Sequence, residues 1–145
     1  NKKKPEYQRM PECTRCGGFT DVSSTGEYHY CEDCQEEFQE VEKSGIIVED
    51  DTDGDVHVIV TAHDEEFDGG TENSQVDGIA RGKYIAEETD LPAMFKYRKT
   101  GSMWMLDEYL EAHPDIRKRV HQRLSRVPDK SEDGLLDRVR AFLNR

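Results

Sequence analysis

An α+β fold is what the sequence predicts: a small cysteine-bearing module at the N-terminus, then a β-hairpin, then a mainly helical C-terminal half. Three observations carry this. All four cysteines of the 145 residues fall in two Cys-x-x-Cys pairs, Cys13/Cys16 and Cys31/Cys34, separated by fourteen residues. Two β-branched runs, Gly45-Ile46-Ile47-Val48 and Val56-His57-Val58-Ile59-Val60, flank an acidic stretch with an Asp53-Gly54 step. Beyond residue 75, apolar residues recur at helical spacing in several segments bounded by proline and glycine.

Residues 1–10 read as a flexible basic arm, and residues 11–43 as the cysteine module. A Cys-x-x-Cys turn holds two thiolates about one tetrahedral edge apart, so two such turns close a cage of four thiolates suited to one structural Zn2+. Gly26 supplies a turn between two short strand-like runs at 19–22 and 28–30, which makes the module a zinc ribbon. The metal ligands are then Cys13, Cys16, Cys31 and Cys34. Two disulfides would instead need an oxidising compartment, and the residues ahead of the cysteines carry no apolar stretch, so a reducing, cytoplasmic setting is expected. A redox Cys-x-x-Cys is expected as a single pair at a helix start rather than two facing pairs. So small a module cannot fold on buried apolar area alone. Metal binding, ~10–16 kcal/mol of apparent free energy in peptide-sized sites, would supply the stability.

Residues 44–74 read as the hairpin followed by an acidic, glycine-rich loop from His63. A calcium loop aligned on Gly54 fails at its twelfth position, where Val60 stands in place of the bidentate Glu. His57 and His63 share a strand face without a third ligand. Residues 75–145 read as a helical domain. Its first helix ends near Thr89 and is weakened by Gly78 and Gly82, each costing about 1 kcal/mol against Ala. A helix over residues 107–113 is closed by Pro114, which opens the next helix as its first residue. In that helix Ile116, Val120, Leu124 and Val127 make one apolar stripe, expected to lie against the last helix and Trp104. The last helix, N-capped by Ser131, carries the stripe Leu135, Leu136, Val139, Phe142 and Leu143. Trp104, between Met103 and Met105, reads as a core anchor.

Charge is unevenly placed. Residues 27–90 hold twenty-one acidic and three basic side chains, whereas residues 96–126 hold eight basic and four acidic, within a net charge of −12. The basic residues Lys96, Arg98, Lys99, Arg117, Arg119, Arg123 and Arg126 are the candidate contacts for nucleic acid or a partner. The acid-rich, lysine-poor composition resembles that of haloarchaeal cytoplasmic proteins, and implies a halophile. At ~1 M salt the Debye length is about 3 Å, so long-range steering to phosphates is lost and any such contact is short-range. No run of eighteen apolar residues is present, and no membrane partner is expected.

Catalysis is not expected. The sequence has no nucleophile elbow, no glycine-rich phosphate loop and no His-Glu-x-x-His. A four-thiolate zinc has no open position for a water. No small-molecule substrate follows from these residues.

The segments Cys13-Thr14-Arg15-Cys16-Gly17-Gly18, Thr25-Gly26-Glu27 and Cys31-Glu32-Asp33-Cys34 resemble the zinc ribbons of the general transcription factor B family and related archaeal proteins. Gln35 departs from the glycine usual there. In that family the ribbon docks on RNA polymerase, so the resemblance implies a protein partner before DNA. Tyr84-Ile85-Ala86-Glu87-Glu88-Thr89-Asp90-Leu91-Pro92 resembles the second helix and turn of a helix-turn-helix, with residues 103–105 as a wing, so the C-terminal half resembles a winged helix. Two functions follow as expectations. One is a non-enzymatic, nucleic-acid-associated regulator of transcription. The other is a protein-interaction or structural accessory subunit of a polymerase, ribosome or virus particle.

Overall fold

The β-branched runs build the centre of the molecule. In a computed structural model that describes Cys13, Arg15 and residues 30–51, 54–125 and 133–144, β1 (Gly45–Asp50) and β2 (Val56–Ala62) pair antiparallel, Ile47 opposite Ile59, around the acidic turn. Gly54 takes φ +94° in that turn. The mixed α+β class is as the sequence predicts, and the described residues form a five-stranded sheet in the order β3-β2-β1-β4-β5.

β3 (Glu65–Glu72) forms where the sequence reading places an acidic loop. His63 and Asp64, at φ 49° and 70°, make a two-residue turn with both residues left-handed. That geometry matches the right-handed twist of paired strands. The acidic, glycine-rich composition is that of a guarded edge rather than a loop. Glu65, Glu66 and Asp68 are exposed, and charged edge strands resist pairing with other chains. Gly69 lies in a bulge opposite the Val58/Ile59 step, where a Cβ would sit 2.8 Å from the Val58 side chain.

α2 (Gln75–Thr89) then crosses over the sheet to β4 (Ala93–Tyr97), which runs parallel to β1. Ser74 caps α2, its hydroxyl accepting from the Asp77 N–H at 3.1 Å. Asp90 ends it in the left-handed conformation. Residues 93–99, where a helix-turn-helix would place its recognition helix after that turn, form β4 and a turn. β5 (Ser102–Met105) returns antiparallel, Phe95 opposite Trp104, as the far edge of the common sheet. The C-terminal half therefore contributes strands as well as helices.

Both faces of the sheet are covered, which is why β1 reads as an unbroken apolar run. Ile46, Val48, Val56, Val58, Val60 and Phe95 face α2, α3 (Leu106–Ala112), α4 (Pro114–Leu124) and α5 (Asp133–Leu143). Ile47 and Met94 face the other way, beneath Phe38 and Val41 of α1 (Glu32–Lys43).

α5 buries Leu135, Leu136 and Val139, and its Phe142 ring meets Phe67 edge-on at 5.8 Å. Pro114 opens α4 as expected. Within the predicted stripe Val120 is fully buried while Ile116 and Leu124 are partly so, but α4 packs chiefly on α2 and also on α3. Only His113 separates α3 from α4, so α4 is held beside α3, where α2 is the apolar surface within reach. Trp104 joins the main core, with Tyr109 edge-on at 5.5 Å. Among the described residues no helix is long and apolar enough to cross a membrane. The basic arm, the ribbon strands about Gly26, Cys16, Arg126, Val127 and Ser131 lie outside the described residues.

Candidate metal centre

The second cysteine pair sits at the start of α1. Cys31 is the N-cap, extended at φ −69° and ψ 167°, and Cys34 lies in the first turn. One helical turn brings the two side chains to the same side, and the helix N-terminus favours thiolates there. Residues 32–43 thus form a helix carrying Cys34, Phe38 and Val41 on its buried side.

Cys13 completes the cluster. Its Sγ and those of Cys31 and Cys34 all lie within 4.8 Å of one another. Tetrahedral zinc with Zn–S bonds of 2.3 Å has S···S edges of about 3.8 Å, so the three thiols stand at metal-binding separation. None is disulfide-bonded to another. Cys13 and Cys34 are 3% and 6% exposed. The donor set is soft and thiolate-rich, which suits zinc and not calcium or magnesium. The three described cysteines are those that spacing brings together; Cys16, the fourth, lies outside the described residues.

The surroundings supply what spacing does not. The Tyr30 ring meets Phe38 edge-on at 5.5 Å. Gln35, which departs from the ribbon pattern, donates from Nε2 to the Tyr30 carbonyl at 2.8 Å and braces the chain entering Cys31. Arg15 donates from Nε and Nη2 to the two carboxylate oxygens of Glu108 on α3, at 2.9 and 2.6 Å. Its Nη1 binds Glu37 of α1, and its guanidinium lies 5.3 Å from the Phe38 ring centroid. The Glu108 and Glu37 carboxylates raise the Arg15 pKa, and Arg15 lowers that of Glu37. Sequence reading misses Arg15, Tyr30 and Glu108. Arg15 lies inside a Cys-x-x-Cys, but nothing local marks Glu108, 93 residues away.

Three of the basic candidates pair with the chain's own carboxylates. Lys96 pairs with Glu42 at 3.0 Å, Arg98 with Glu49 at 3.5 Å and Arg123 with Asp77 at 3.2 Å. Lys99 acts on Asp50. Arg117 and Arg119, with Lys118 between them, are exposed on α4 and make no ion pair among the described residues. Among the described residues the chain's own carboxylates thus pair with three of these cations, while residues 117–119 form an exposed basic stretch.

A polar cluster lies where β1 ends and α2 begins. Gln75 Nε2 donates to the Tyr109 hydroxyl at 3.0 Å and to Asp50 at 3.4 Å. Burial pushes the Asp50 carboxyl up, against the opposing pull of Lys99 and Gln75. A folded pKa above the unfolded value means that ionised Asp50 costs stability at neutral pH, and that this cost vanishes below the unfolded value of about 3.9. Asp50→Asn is therefore expected to be more stable than wild type at pH 7 in chemical denaturation. The advantage is expected to shrink as pH falls through the raised pKa toward about 4.

No protein-family model, curated protein or solved structure matches this chain.

Proposed function

We propose that this chain is a non-enzymatic zinc protein in which one structural zinc is held by Cys13, Cys16, Cys31 and Cys34, and which serves as an accessory subunit of a larger assembly. The burial of the cysteine cluster carries the reading. Cys13 and Cys34 share a core with Phe38, Val41, Ile47 and Met94. A metal walled in by that core holds elements together rather than presenting a water to a substrate. When bound, zinc supplies a tetrahedral cross-link between the first cysteine knuckle and α1. The accessory reading is favoured over a nucleic-acid regulator because Lys96, Arg98 and Arg123 are matched by the chain's own carboxylates.

Exposed Arg117, Lys118 and Arg119 favour the second reading, a phosphate contact by a nucleic-acid-associated regulator. Reversing Arg117, Lys118 and Arg119 together to Glu separates the two. The melting temperature is expected to hold, since exposed substitutions shift stability by about 0.5 kcal/mol or less. For a protein assembly, native-host pull-down is expected to survive nuclease in wild type and to be lost in the variant. If the partner is DNA or RNA, nuclease abolishes the wild-type pull-down. Binding to bare nucleic acid then shows a log–log salt slope that falls by about one per phosphate contact removed. Unchanged binding by the triple variant in both assays would remove α4 from the interface.

A further inference from the structure

Two side chains that flank metal ligands in sequence reach the same distant place. Arg15 stands between Cys13 and Cys16, and Tyr30 directly precedes Cys31. Arg15 grips Glu108 in a two-pronged pair, with its side chain only 15% exposed. Tyr30 binds the backbone of Met103 twice: its hydroxyl accepts from the Met103 N–H at 2.7 Å and donates to the Met103 carbonyl at 3.1 Å.

Met103 is on β5, an edge strand whose inner side pairs with β4. An edge residue that turns its N–H and C=O outward leaves both without a strand partner. One phenol here satisfies both groups, standing where a sixth strand would bond. Beneath it, Met103 and Met105 pack with Met94, Ile47 and Phe38. Tyr30 therefore caps the open edge of β5 at Met103, and Phe38 of α1 packs on the apolar surface beside it.

We propose that the metal module is a removable clip on the β5 edge, closed by Tyr30 on Met103 and Arg15 on Glu108 when metal orders the knuckles, and opened by metal loss. The inference rests on the zinc reading above. Metal bound by the flanking cysteines restricts Arg15 and Tyr30 before they reach their partners, so the entropy of ordering them is already met. Linkage makes the effect reciprocal: contacts that favour the closed knuckle raise metal affinity by the factor by which metal favours the contacts. Glu108 and Tyr30 are then positioning residues for a metal neither of them touches.

The full-length chain tests this with zinc as the ligand, through competition with a chromophoric chelator and backbone amide exchange by NMR. Glu108→Gln and Tyr30→Phe are each expected to bind zinc about 10–100-fold more weakly, the range for substitution of groups that support metal ligands. Chelating zinc from wild type is expected to speed Met103 amide exchange at least about tenfold more than it speeds exchange of the β1 and β4 amides, the same factor by linkage. Wild-type zinc affinity in both variants, or unchanged Met103 exchange on chelation, overturns the clip and leaves the zinc reading standing. Equal loss of protection at Met103 and across β1 and β4 also overturns it, because metal would then hold the whole sheet. A wild-type chain that takes up no zinc overturns the metal reading and the clip with it.

Discussion

Cys34→Ser is expected to abolish zinc binding and to lower stability by about 4–5 kcal/mol or more, the range in which loss of a structural metal falls. For a chain of this size that lowers the melting temperature by ~10–20 °C. Cys34 is 6% exposed and packs with Phe38, Val41, Ile47 and Met94, so the substitution both removes a thiolate and puts a hydroxyl into an apolar core. The upper bound is the ~10–16 kcal/mol of apparent metal-binding free energy in small zinc sites. The damage is expected on one face of the sheet. The opposite face, with Ile46, Val48, Phe95 and Leu136, belongs to a separate cluster. Circular dichroism of the variant should retain most helix and strand signal, and a dye for exposed apolar surface should bind it. Wild-type stability in the variant would mean that the cluster holds no metal.

Gly78→Ala and Gly82→Ala are each expected to destabilise by about 2 kcal/mol, against their gain in helix propensity. A Cβ at Gly78 would lie 2.2 Å from Val56 Cγ1, and one at Gly82 would lie 2.4 Å from Val48 Cγ2. Val56 and Val48 are 1% and 0% exposed, on the inner strands β2 and β1, so the added methyl meets buried side chains. Overpacking a tight core costs ~1–3 kcal/mol, and separations this short belong at the top of that range. Alanine returns about 1 kcal/mol of helix propensity. Val56→Ala placed on Gly78→Ala is expected to recover part of the loss, a coupling that a double-mutant cycle in urea reads directly. Stabilisation by either alanine would mean that α2 does not approach the sheet this closely.

These two glycines show where sequence reading stops. As isolated residues they register only as a local weakness in a helix. Their four-residue spacing puts both on the side of α2 that meets β2 and β1, and only the packed structure gives that a purpose. The β1–β2 hairpin was legible because β-branched runs about an Asp-Gly step are a local signal, and so was the apolar stripe of α5. β3 was hidden because its turn uses His63 and Asp64 where glycine or asparagine would have announced it. The sheet order was hidden as well, since pairing β4 with β1 joins segments that share no local pattern. At the metal centre the spacing of Cys13, Cys31 and Cys34 suffices to bring three thiols together. The helix that carries Cys34 was visible in principle: Cys34, Phe38 and Val41 fall at i, i+4 and i+7, after two acidic residues suited to a helix start. Arg15 and Glu108 meet across the fold, and no spacing rule reaches that far.

Native mass spectrometry of the intact chain, followed by X-ray absorption at the zinc edge, counts the metal and identifies the atoms that bind it. One zinc per chain is expected, with a first shell of four sulfur atoms at about 2.3 Å and Cys16 the fourth ligand beside Cys13, Cys31 and Cys34. A metal-free mass, the mass deficit of two disulfides, or a shell with nitrogen or oxygen in place of a sulfur would contradict it.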